Sequence, residues 1–487
     1  MRYSALVNAA DERNTSKGPY KVKLSVRDIL KASSGSLVSG DESARVESFS
    51  TDSRTIKGGE MFFALRGVNH DGHDFAATAA KAGAEWVVVD ERFAASEGAM
   101  ALRAAGSGVI VVADTLTALG AAARLSRKSS KAKVMAITGS AGKTTTKDMT
   151  AAILSRSRKT LKTEGNLNNL IGLPLTLFRL TEDDEAAVIE LGISIPGEME
   201  KLASICAPDV ALVTNIGMSH LEGLKTREMV AEEKLKLFMS LKKGGVRVVN
   251  MDDDYIRAFV EKYGRARSDV TFAMRDGADV VIKGYSRVNG TLLASYSVGG
   301  EHVEVKYPSP LVSNAQNGAA AMAASLCYGV SLSDMAEALS TYVPAKGRMA
   351  VVKLVGVTLL DDTYNANPES MKAALKTMSS YSGRKIVISG DMLELGALSA
   401  SLHEEVGSFM AESGVNEIIA TGSFASSVID GALKAGMPSK NASVVSGNAE
   451  AAAALLEMVS EGDVILVKGS RGMRMEEVVN KLKEKLS

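Results

Sequence analysis

Residues 136–150, AITGSAGKTTTKDMT, contain a glycine-rich turn that leads directly into a lysine and consecutive threonines. Gly142, Lys143 and Thr144 match the end of the phosphate-binding pattern G-x-x-x-x-G-K-S/T, but Ile137 stands where that pattern has its first glycine. An apolar run precedes the turn and a helical pattern follows it, so N–H groups at the helix start would face phosphates. Lys143 would reach the terminal phosphates, and the Thr144 hydroxyl would join magnesium. The competing interpretation is a tight strand-to-helix turn whose lysine and threonines are solvated.

Three further residues could act beside such a loop. Glu190 ends the apolar run in AAVIELG, and a carboxylate at the carboxyl end of a neighbouring strand can bind a metal ion. His220 follows the run DVALVTNIG, and Lys234 lies in the predicted helix MVAEEKLKLF. Taken alone, each has an ordinary explanation: a solvated loop carboxylate, a satisfied histidine and an exposed helical lysine.

Short apolar runs alternate with helical patterns along most of the chain, and these elements must position the candidate residues. Continuous apolar strands are typical of sheets covered on both faces, so we predict an α/β protein with mainly parallel, doubly wound sheets. Residues 270–308 alternate and are punctuated by glycines, which predicts a small antiparallel insert. The predicted buried strands lie within 85–90, 108–114, 133–139, 186–192, 209–217, 244–253, 385–392, 417–422 and 463–470.

The chain has 487 residues, a length that suggests about two to four domains. Two segments suggest boundaries: SRKSSKAK near 126–133 is polar and precedes the loop, and YVPAKGRMA at 342–350 contains proline and glycine. The first 20 or so residues are polar and aperiodic, as in a loose extension. We therefore predict this extension and three α/β domains, bounded as 1–22, 23–130, 131–344 and 345–487.

The composition excludes several classes of protein. Lysine plus arginine and aspartate plus glutamate both number 57, so no electrostatic argument favours a nucleic-acid partner. The two cysteines cannot form a disulfide framework, which fits a reducing, cytoplasmic setting. The N-terminus lacks an apolar core of signal-peptide length, and no stretch reaches the roughly 20 apolar residues of a membrane span.

Several motifs recur in one order: TGSAGKTTTK, EGNLNNLIGLP, TNIGMSHLEGLKTREMVAEEKLKLF, VPAKGRM, DDTYNANPESM, GDMLELG and VKGSRG. On the basis of these motifs, the chain resembles the Mur ligases over about residues 24–485. The Mur ligases build the peptide of bacterial peptidoglycan. That family uses T-G-x-x-G-K-T-T and does not need the first glycine of the general pattern. Residues 50–75 resemble its UDP-sugar domain. The resemblance implies an N-terminal UDP-muramoyl-binding domain, a central P-loop ATP-binding domain and a C-terminal Rossmann-like domain.

Within the family, DDTYNANPESM resembles the member that adds D-alanyl-D-alanine to UDP-N-acetylmuramoyl-tripeptide. The resemblance implies an ATP-dependent ligase that forms an acyl phosphate and yields the UDP-linked pentapeptide of peptidoglycan biosynthesis. The alternative is the family member that adds diaminopimelate or lysine to UDP-N-acetylmuramoyl-dipeptide. Lys236 supports that alternative, because D-alanyl-D-alanine ligases often have Glu two residues after the lysine at position 234. Which third residue the tripeptide carries stays open.

The resemblance also implies the nucleotide and metal sites. It assigns catalytic roles to Lys143, His220 and Lys234, with Lys234 carbamylated by carbon dioxide. Two magnesium ions are expected, with ligands from Thr144, Glu190, His220 and the carbamylated Lys234. The residues implied in ATP binding are Gly139, Ser140, Ala141, Gly142, Lys143, Thr144, Thr145, Asn317 and Arg348. For Asn317 a helix N-cap is the competing explanation, and Ser313-Asn314 departs from the family's usual His-Asn.

The substrate residues follow from the same resemblance. Ser53, Arg54, Asp71 and His73 would bind the uracil and diphosphate, although DSR could also be a simple turn. Asn168 and Asn169 would touch the nucleotide or the muramoyl substrate, or belong to a loop that caps a helix. The predicted dipeptide site contains Asp362, Tyr364, Asn365 and Asn367. The protein is expected to be a monomer. Two other functions are alternatives. A folylpolyglutamate synthase shares the central loop but lacks the UDP-sugar domain that residues 50–75 resemble. A non-catalytic nucleotide-binding protein would not need Lys143, Glu190, His220 and Lys234.

Overall fold

A computed structural model describes residues 23–486 except 68, 97, 99–101, 103–105 and 289, so the predicted extension 1–22 lies outside the described residues. The described chain forms sheets of five, nine and six strands, each covered by helices, and a two-stranded ribbon of β1 with β3. The α/β prediction is confirmed, and the sheets follow one another along the chain.

The first sheet has the order β2-β7-β6-β5-β4, with β2 antiparallel at one edge. Its last helix begins after Asp114, whose side chain accepts a hydrogen bond from the Thr117 N–H. The strands are β1 (Leu24–Ser25), β2 (Ser36–Ser39), β3 (Arg45–Val46), β4 (Phe49–Ser50), β5 (Met61–Phe63), β6 (Trp86–Asp90) and β7 (Gly108–Val112). The helices are α1 (Val26–Ser33), α2 (Ala76–Lys81), α3 (Glu91–Ala94) and α4 (Thr115–Ser129).

The end of α4 occupies the polar segment predicted as a boundary. Ser126 and Arg127 are buried there. The Ser126 hydroxyl donates to the Leu177 carbonyl, and Arg127 forms an ion pair of 2.7 Å with Asp209. Residues 126–129 are therefore the packed last turn of a helix that joins the first two sheets, and the boundary at 130/131 stays a prediction.

The second sheet has the order β16-β15-β14-β13-β12-β11-β8-β10-β9. Its strands are β8 (Lys133–Thr138), β9 (Thr160–Lys162), β10 (Ala186–Glu190), β11 (Val210–Val213), β12 (Val246–Asn250), β13 (Val270–Ala273), β14 (Val280–Val288), β15 (Thr291–Val298) and β16 (Glu301–Tyr307). Its helices are α5 (Lys143–Leu154), α6 (Gly172–Leu177), α7 (Glu198–Cys206), α8 (Leu221–Leu224), α9 (Arg227–Met239), α10 (Asp254–Tyr263), α11 (Ser313–Leu326) and α12 (Leu332–Ser340). Strand β8 lies between β10 and β11, both parallel to it, so their carboxyl ends open onto one edge.

The antiparallel segment differs in one respect from the prediction. Strand β13 pairs in parallel with β12 and β14, and in this segment the antiparallel pairs are β14 with β15 and β15 with β16. These strands continue the edge of the main sheet, so the antiparallel part begins at Val280 rather than near residue 270.

The third sheet has the order β17-β18-β22-β19-β20-β21, parallel except for β17. Residues 341–349 contain no helix or strand and connect it to the second sheet. Its strands are β17 (Ala350–Leu354), β18 (Val357–Asp362), β19 (Lys385–Ser389), β20 (Glu417–Thr421), β21 (Ala442–Val445) and β22 (Val464–Lys468). Its helices are α13 (Pro368–Met378), α14 (Ser399–Glu412), α15 (Ala425–Lys434), α16 (Asn448–Met458) and α17 (Glu476–Leu486).

Candidate active site

A cleft of about 840 Å³ opens where the carboxyl ends of β8, β10 and β11 meet the third sheet. One wall contains the glycine-rich loop, Glu190 and the segment 214–220. The other contains residues after β18, the segment 393–395 and the segment 470–472 after β22. Ligands of open α/β sheets bind at such strand ends, so this cleft is the candidate active site.

The loop requires its glycines for packing as well as for backbone conformation. Gly139 has φ +147°, and a Cβ there would lie 1.9 Å from the Thr214 hydroxyl oxygen. Gly142 has φ +79°, and its Cβ would lie 2.4 Å from the Asn317 side-chain oxygen. No L side chain fits either position. The predicted strand–loop–helix unit is confirmed, with β8 before the loop and α5 beginning at Lys143.

The loop's N–H groups fall into two sets. Those of Ser140 and Ala141 donate to the backbone and side-chain oxygens of Asn215. The first intrahelical bond of α5 runs from the Thr146 N–H to the Gly142 carbonyl, so the N–H groups of residues 143–145 have no partner within the helix. The helix start therefore provides the anion site, strengthened by the positive end of the helix dipole.

Lys143 lies beside this helix start. Its ammonium donates to the Gly139 carbonyl at 2.7 Å. Burial lowers the pKa of Lys143, while Glu190 acts in the opposite direction. The lysine can therefore pair with an anion in a weakly solvated place, where charge interactions are strong.

Glu190 is the last residue of β10 and is buried, with 3% of its surface exposed. Its Oε1 accepts a hydrogen bond of 2.8 Å from the Asn168 amide, which holds the carboxylate in place. Its Oε2 is buried and has no hydrogen-bond partner in the part of the chain that the structure describes. A buried carboxylate oxygen without a partner is costly, so this atom suits a ligand.

Lys234 lies in α9 and is completely buried. Among the described residues, its Nζ has no hydrogen-bond partner. Burial, followed by the nearby charge of Lys143, holds the pKa of Lys234 well below its ordinary value. The exposed helical lysine offered as an alternative is wrong, and the burial of Lys234 favours the uncharged form of its amine.

His220 follows β11 and precedes the short helix α8. Its Nδ1 lies 2.5 Å from Oε2 of Glu394, a residue on the opposite wall. Burial lowers the pKa of His220, although the hydrogen bond to Glu394 partly offsets this effect. The same hydrogen bond lowers the pKa of Glu394, so a neutral imidazole faces a carboxylate.

These residues fit a magnesium site. The described residues contain no cluster of three or more His, Cys, Asp or Glu side chains that could hold a metal alone. The unpaired Glu190 oxygen and the Thr144 hydroxyl are hard donors of the kind that magnesium prefers, and phosphate oxygens would complete its shell.

Asn317 and Arg348 lie on the cleft's rim. Asn317 is the fifth residue of α11, so the N-cap alternative is wrong, and its side-chain oxygen touches the loop beside Gly142 and Thr146. Arg348 stacks 3.9 Å above the Tyr364 ring, and its buried Nε has no hydrogen-bond partner among the described residues. Arg348 thus presents a planar fork toward the cleft.

The four predicted dipeptide residues also line the cleft. Asp362 forms a 2.6 Å ion pair with Lys468 and accepts from the Met349 N–H. Asn367 caps α13, and its amide lies 3.5 Å from the Ser140 carbonyl. Lys468 and Glu394 were not predicted; both lie in quoted motifs, VKGSRG and GDMLELG, but only the fold shows which partners they meet.

The remaining predicted substrate residues are engaged within the protein. Asn168 and Asn169 line the cleft, and the Asn169 side chain also accepts from the N–H groups of Ile171 and Gly172 near the start of α6. The His73 ring donates to Asp71 through Nδ1 and accepts from the Asp90 N–H through Nε2. Ser53 and Arg54 form a short 3-10 turn. The set Ser53, Arg54, Asp71 and His73 does not line the cleft between the second and third sheets.

Comparison with known proteins gave consistent matches. The Mur ligase family catalytic domain matches residues 45–127, the Mur ligase middle domain residues 137–325, and the Mur ligase glutamate ligase domain residues 347–471. The UDP-N-acetylmuramoyl-tripeptide–D-alanyl-D-alanine ligase of Bacillus subtilis is 34% identical over 95% of this chain and 99% of its own.

Solved structures of MurF superpose on this chain over most of its length. A crystal structure of MurF from Acinetobacter baumannii superposes with a TM-score of 0.87 at 31% identity, covering 96% of this chain and 100% of that one. MurF from Thermotoga maritima in complex with ADP superposes with a TM-score of 0.79 at 29% identity, covering 90% and 97%. In the part of this chain that the structure describes, no helix is long and apolar enough to span a membrane.

Proposed function

The chain belongs to the Mur ligase family, and on that premise we propose that it joins D-alanyl-D-alanine to UDP-N-acetylmuramoyl-tripeptide with ATP. The observation that carries this proposal is the near full-length similarity to ligases of that specificity, 34% identity over 95% of the chain. The cleft supports this proposal, because its two walls carry the phosphate-binding loop and the motif DDTYNANPESM, on which the predicted specificity depends. The third-residue ligase, favoured only by Lys236, is the weaker candidate.

The first step activates the tripeptide carboxylate. One of its oxygens attacks the γ-phosphorus of ATP, a P–O bond forms, and the bond to ADP breaks, giving an acyl phosphate. Negative charge on the transferring group would be stabilised by Lys143 and by the N–H groups at the start of α5. Asn317 holds the loop's shape through its contact at Gly142. Arg348 approaches the nucleotide from the third sheet's side.

The second step forms the amide. The free amine of D-alanyl-D-alanine attacks the acyl carbon, loses a proton, and inorganic phosphate leaves. Asp362, Tyr364, Asn365 and Asn367 would frame this amine on the opposite wall. Since Asp362 is already paired with Lys468, we propose that it mainly positions the wall, while Tyr364 and Asn365 face the dipeptide. A closed cleft would keep water from the acyl phosphate.

Magnesium, when bound, neutralises the phosphate oxygens and orients them for in-line transfer. Glu190, His220 and Thr144 would hold two such ions together with Lys234. The uncharged Lys234 amine can add to carbon dioxide and release one proton, which gives a carbamate. That reaction replaces an unpaired buried amine with an anion close to Lys143, so it relieves the electrostatic cost of the site.

The finer assignments rest on the family resemblance. We propose that Ser53, Arg54, Asp71 and His73 belong to the UDP site, with His73 acting through Asp71 and Arg66. Asn168 would act through Glu190. The domain limits of 23–130, 131–344 and 345–487, the monomeric state and the cytoplasmic location are also proposals.

The test is an assay of ADP release with purified protein. ADP release should require both UDP-N-acetylmuramoyl-tripeptide and D-alanyl-D-alanine, and mass spectrometry should find the pentapeptide. Tripeptides carrying diaminopimelate and lysine should be compared. Turnover of UDP-N-acetylmuramoyl-dipeptide with diaminopimelate or lysine, and none with D-alanyl-D-alanine, would establish the alternative instead.

A further inference from the structure

Glu394 reaches His220 from the wall opposite the nucleotide loop. Its Oε2 lies 2.5 Å from Nδ1 of His220, and its backbone carbonyl accepts from the Glu222 N–H at 3.0 Å. His220 and Glu394 have φ of +55° and +66°, in the left-handed region that few non-glycine residues adopt. Both backbones are therefore held in unusual conformations where the two sheets' elements touch.

The contact fixes which imidazole nitrogen carries the proton. A carboxylate only accepts, so Nδ1–H donates to Glu394 and the lone pair resides on Nε2. The other polar neighbour of Nδ1 is the Ser194 hydroxyl, at a longer 3.4 Å. In the part of the chain that the structure describes, Nε2 of His220 has no hydrogen-bond partner, which leaves it available to a ligand.

We propose that Glu394 is a positioning residue that fixes the Nδ1–H tautomer of His220 and so presents Nε2 to the metal of the nucleotide site. Carboxylates that orient a ligating histidine commonly strengthen metal binding. Because Glu394 follows β19 of the third sheet and His220 follows β11 of the second, metal affinity depends on how these two parts of the protein dock. The inference rests on the proposed function, since that function makes His220 a ligand.

The first experiment reads the tautomer in metal-free protein. Long-range ¹H–¹⁵N spectra resolve the chain's five histidines, and His220→Asn identifies the relevant signal. Wild type should show the Nδ1–H form. Glu394→Gln should keep it, since an amide oxygen still accepts, whereas Glu394→Ala should shift the ring toward the Nε2–H form. Glu222→Gln, an exposed carboxylate on the same patch, is the matched control and should change nothing.

The second experiment measures Mn²⁺ binding in the presence of ADP by electron paramagnetic resonance. Glu394→Ala should weaken binding about 10- to 100-fold, Glu394→Gln should weaken it less, and Glu222→Gln should leave it unchanged. Glu394 is half exposed, so these variants are expected to fold, and thermal melting checks this.

Glu394→Ala behaving like Glu222→Gln in both measurements overturns the inference. Neither readout uses a peptide substrate. If tautomer and Mn²⁺ affinity change as expected while wild type makes no pentapeptide, the proposed function fails and the positioning role survives.

Discussion

The two walls of the cleft differ in how their polar groups are satisfied. On the loop side, Glu190 Oε2 and Lys234 Nζ are buried and find no hydrogen-bond partners within the described structure. On the opposite side, Asp362 is paired with Lys468, and Asn367 caps a helix. Arg348, just before the third sheet, is an exception, because its Nε is buried and unpaired in the described part of the chain.

The difference separates two kinds of contribution. Unpaired buried groups cost stability and are retained where a ligand completes them. Paired groups hold the wall in shape and act on the reaction through position. Variants of the loop side should therefore lose activity without losing stability, and variants of the opposite side should lose stability first.

The largest expected effect is that of Lys143→Ala. Removing the ammonium takes away the contact to the terminal phosphates, while its hydrogen bonds in the described structure go to carbonyl groups of its own loop. Turnover should fall to less than about a tenth, which corresponds to a barrier raised by more than roughly 1.4 kcal/mol. Urea unfolding should be nearly unchanged. If a normally folded variant keeps more activity than this, Lys143 does not contact the terminal phosphates as proposed.

Lys234→Ala should also be nearly inactive, and a short carboxylate such as acetate should partly restore it. The reason is that acetate supplies the oxygens that the carbamate would provide. Native mass spectrometry should find one added carbon dioxide on wild type and none on the variant. Lys243→Ala is the control, because that lysine follows the same helix and is exposed. An active wild type that carries no carbon dioxide contradicts the assignment.

Sequence patterns located the loop side because its residues follow local elements: strand, loop and helix for Lys143, and a strand end for Glu190. They did not predict the burial of Lys234. Its helix α9 buries residues in almost consecutive positions, from Val230 to Phe238, so no amphipathic stripe marks which lysine points inward. The contact of His220 with Glu394 spans 174 positions and follows only from the docking of two sheets.

On the opposite wall, Asp362→Asn should cost about 3–5 kcal/mol of unfolding free energy. The change leaves the buried Lys468 ammonium without its carboxylate partner. The double variant Asp362→Asn with Lys468→Met should recover much of the loss, because the uncompensated charge is gone. Urea denaturation measures both. A single variant as stable as wild type would show that this wall is not held by the pair.

A smaller effect concerns His403, which supports the segment that carries Glu394. Its Nε2 accepts from the Met392 N–H, and its Nδ1–H donates to the Ser399 carbonyl. Burial lowers the pKa of His403 below its ordinary value, while Ser399 and Asp391 act in the opposite direction. Below about pH 6.5 the unfolded chain binds a proton that the folded protein does not, so stability falls as the pH decreases.

The loss should approach about 1.4 kcal/mol per pH unit between pH 6.5 and the folded pKa. His403→Gln should lose this component of the pH dependence, whereas His302→Gln, at an exposed histidine, should retain it. Urea unfolding at several pH values is the measurement. Equal pH slopes for wild type and His403→Gln would show that the histidine does not support the segment.

The smallest effect tests whether the two walls move apart. Both large substrates must enter, yet the reacting atoms must come within about 3–3.5 Å, so we predict hinging near residues 343–350 and closure with ATP and UDP-muramoyl-tripeptide.

Outside the cleft, Arg287 of β14 donates to the Lys376 and Thr377 carbonyls at the end of α13. Such a contact contributes about 0.3–1 kcal/mol, enough to shift an open–closed balance up to roughly fivefold. Arg287→Ala should therefore increase the radius of gyration of the free protein in small-angle scattering and leave the ligand-saturated value at that of wild type. Lys283→Ala, on the same strand but paired with Asp276, is the control. If the radius of gyration of fully active wild type does not change on saturation with ATP and UDP-muramoyl-tripeptide, the two walls do not move apart. The walls would then differ only in how their polar groups are satisfied.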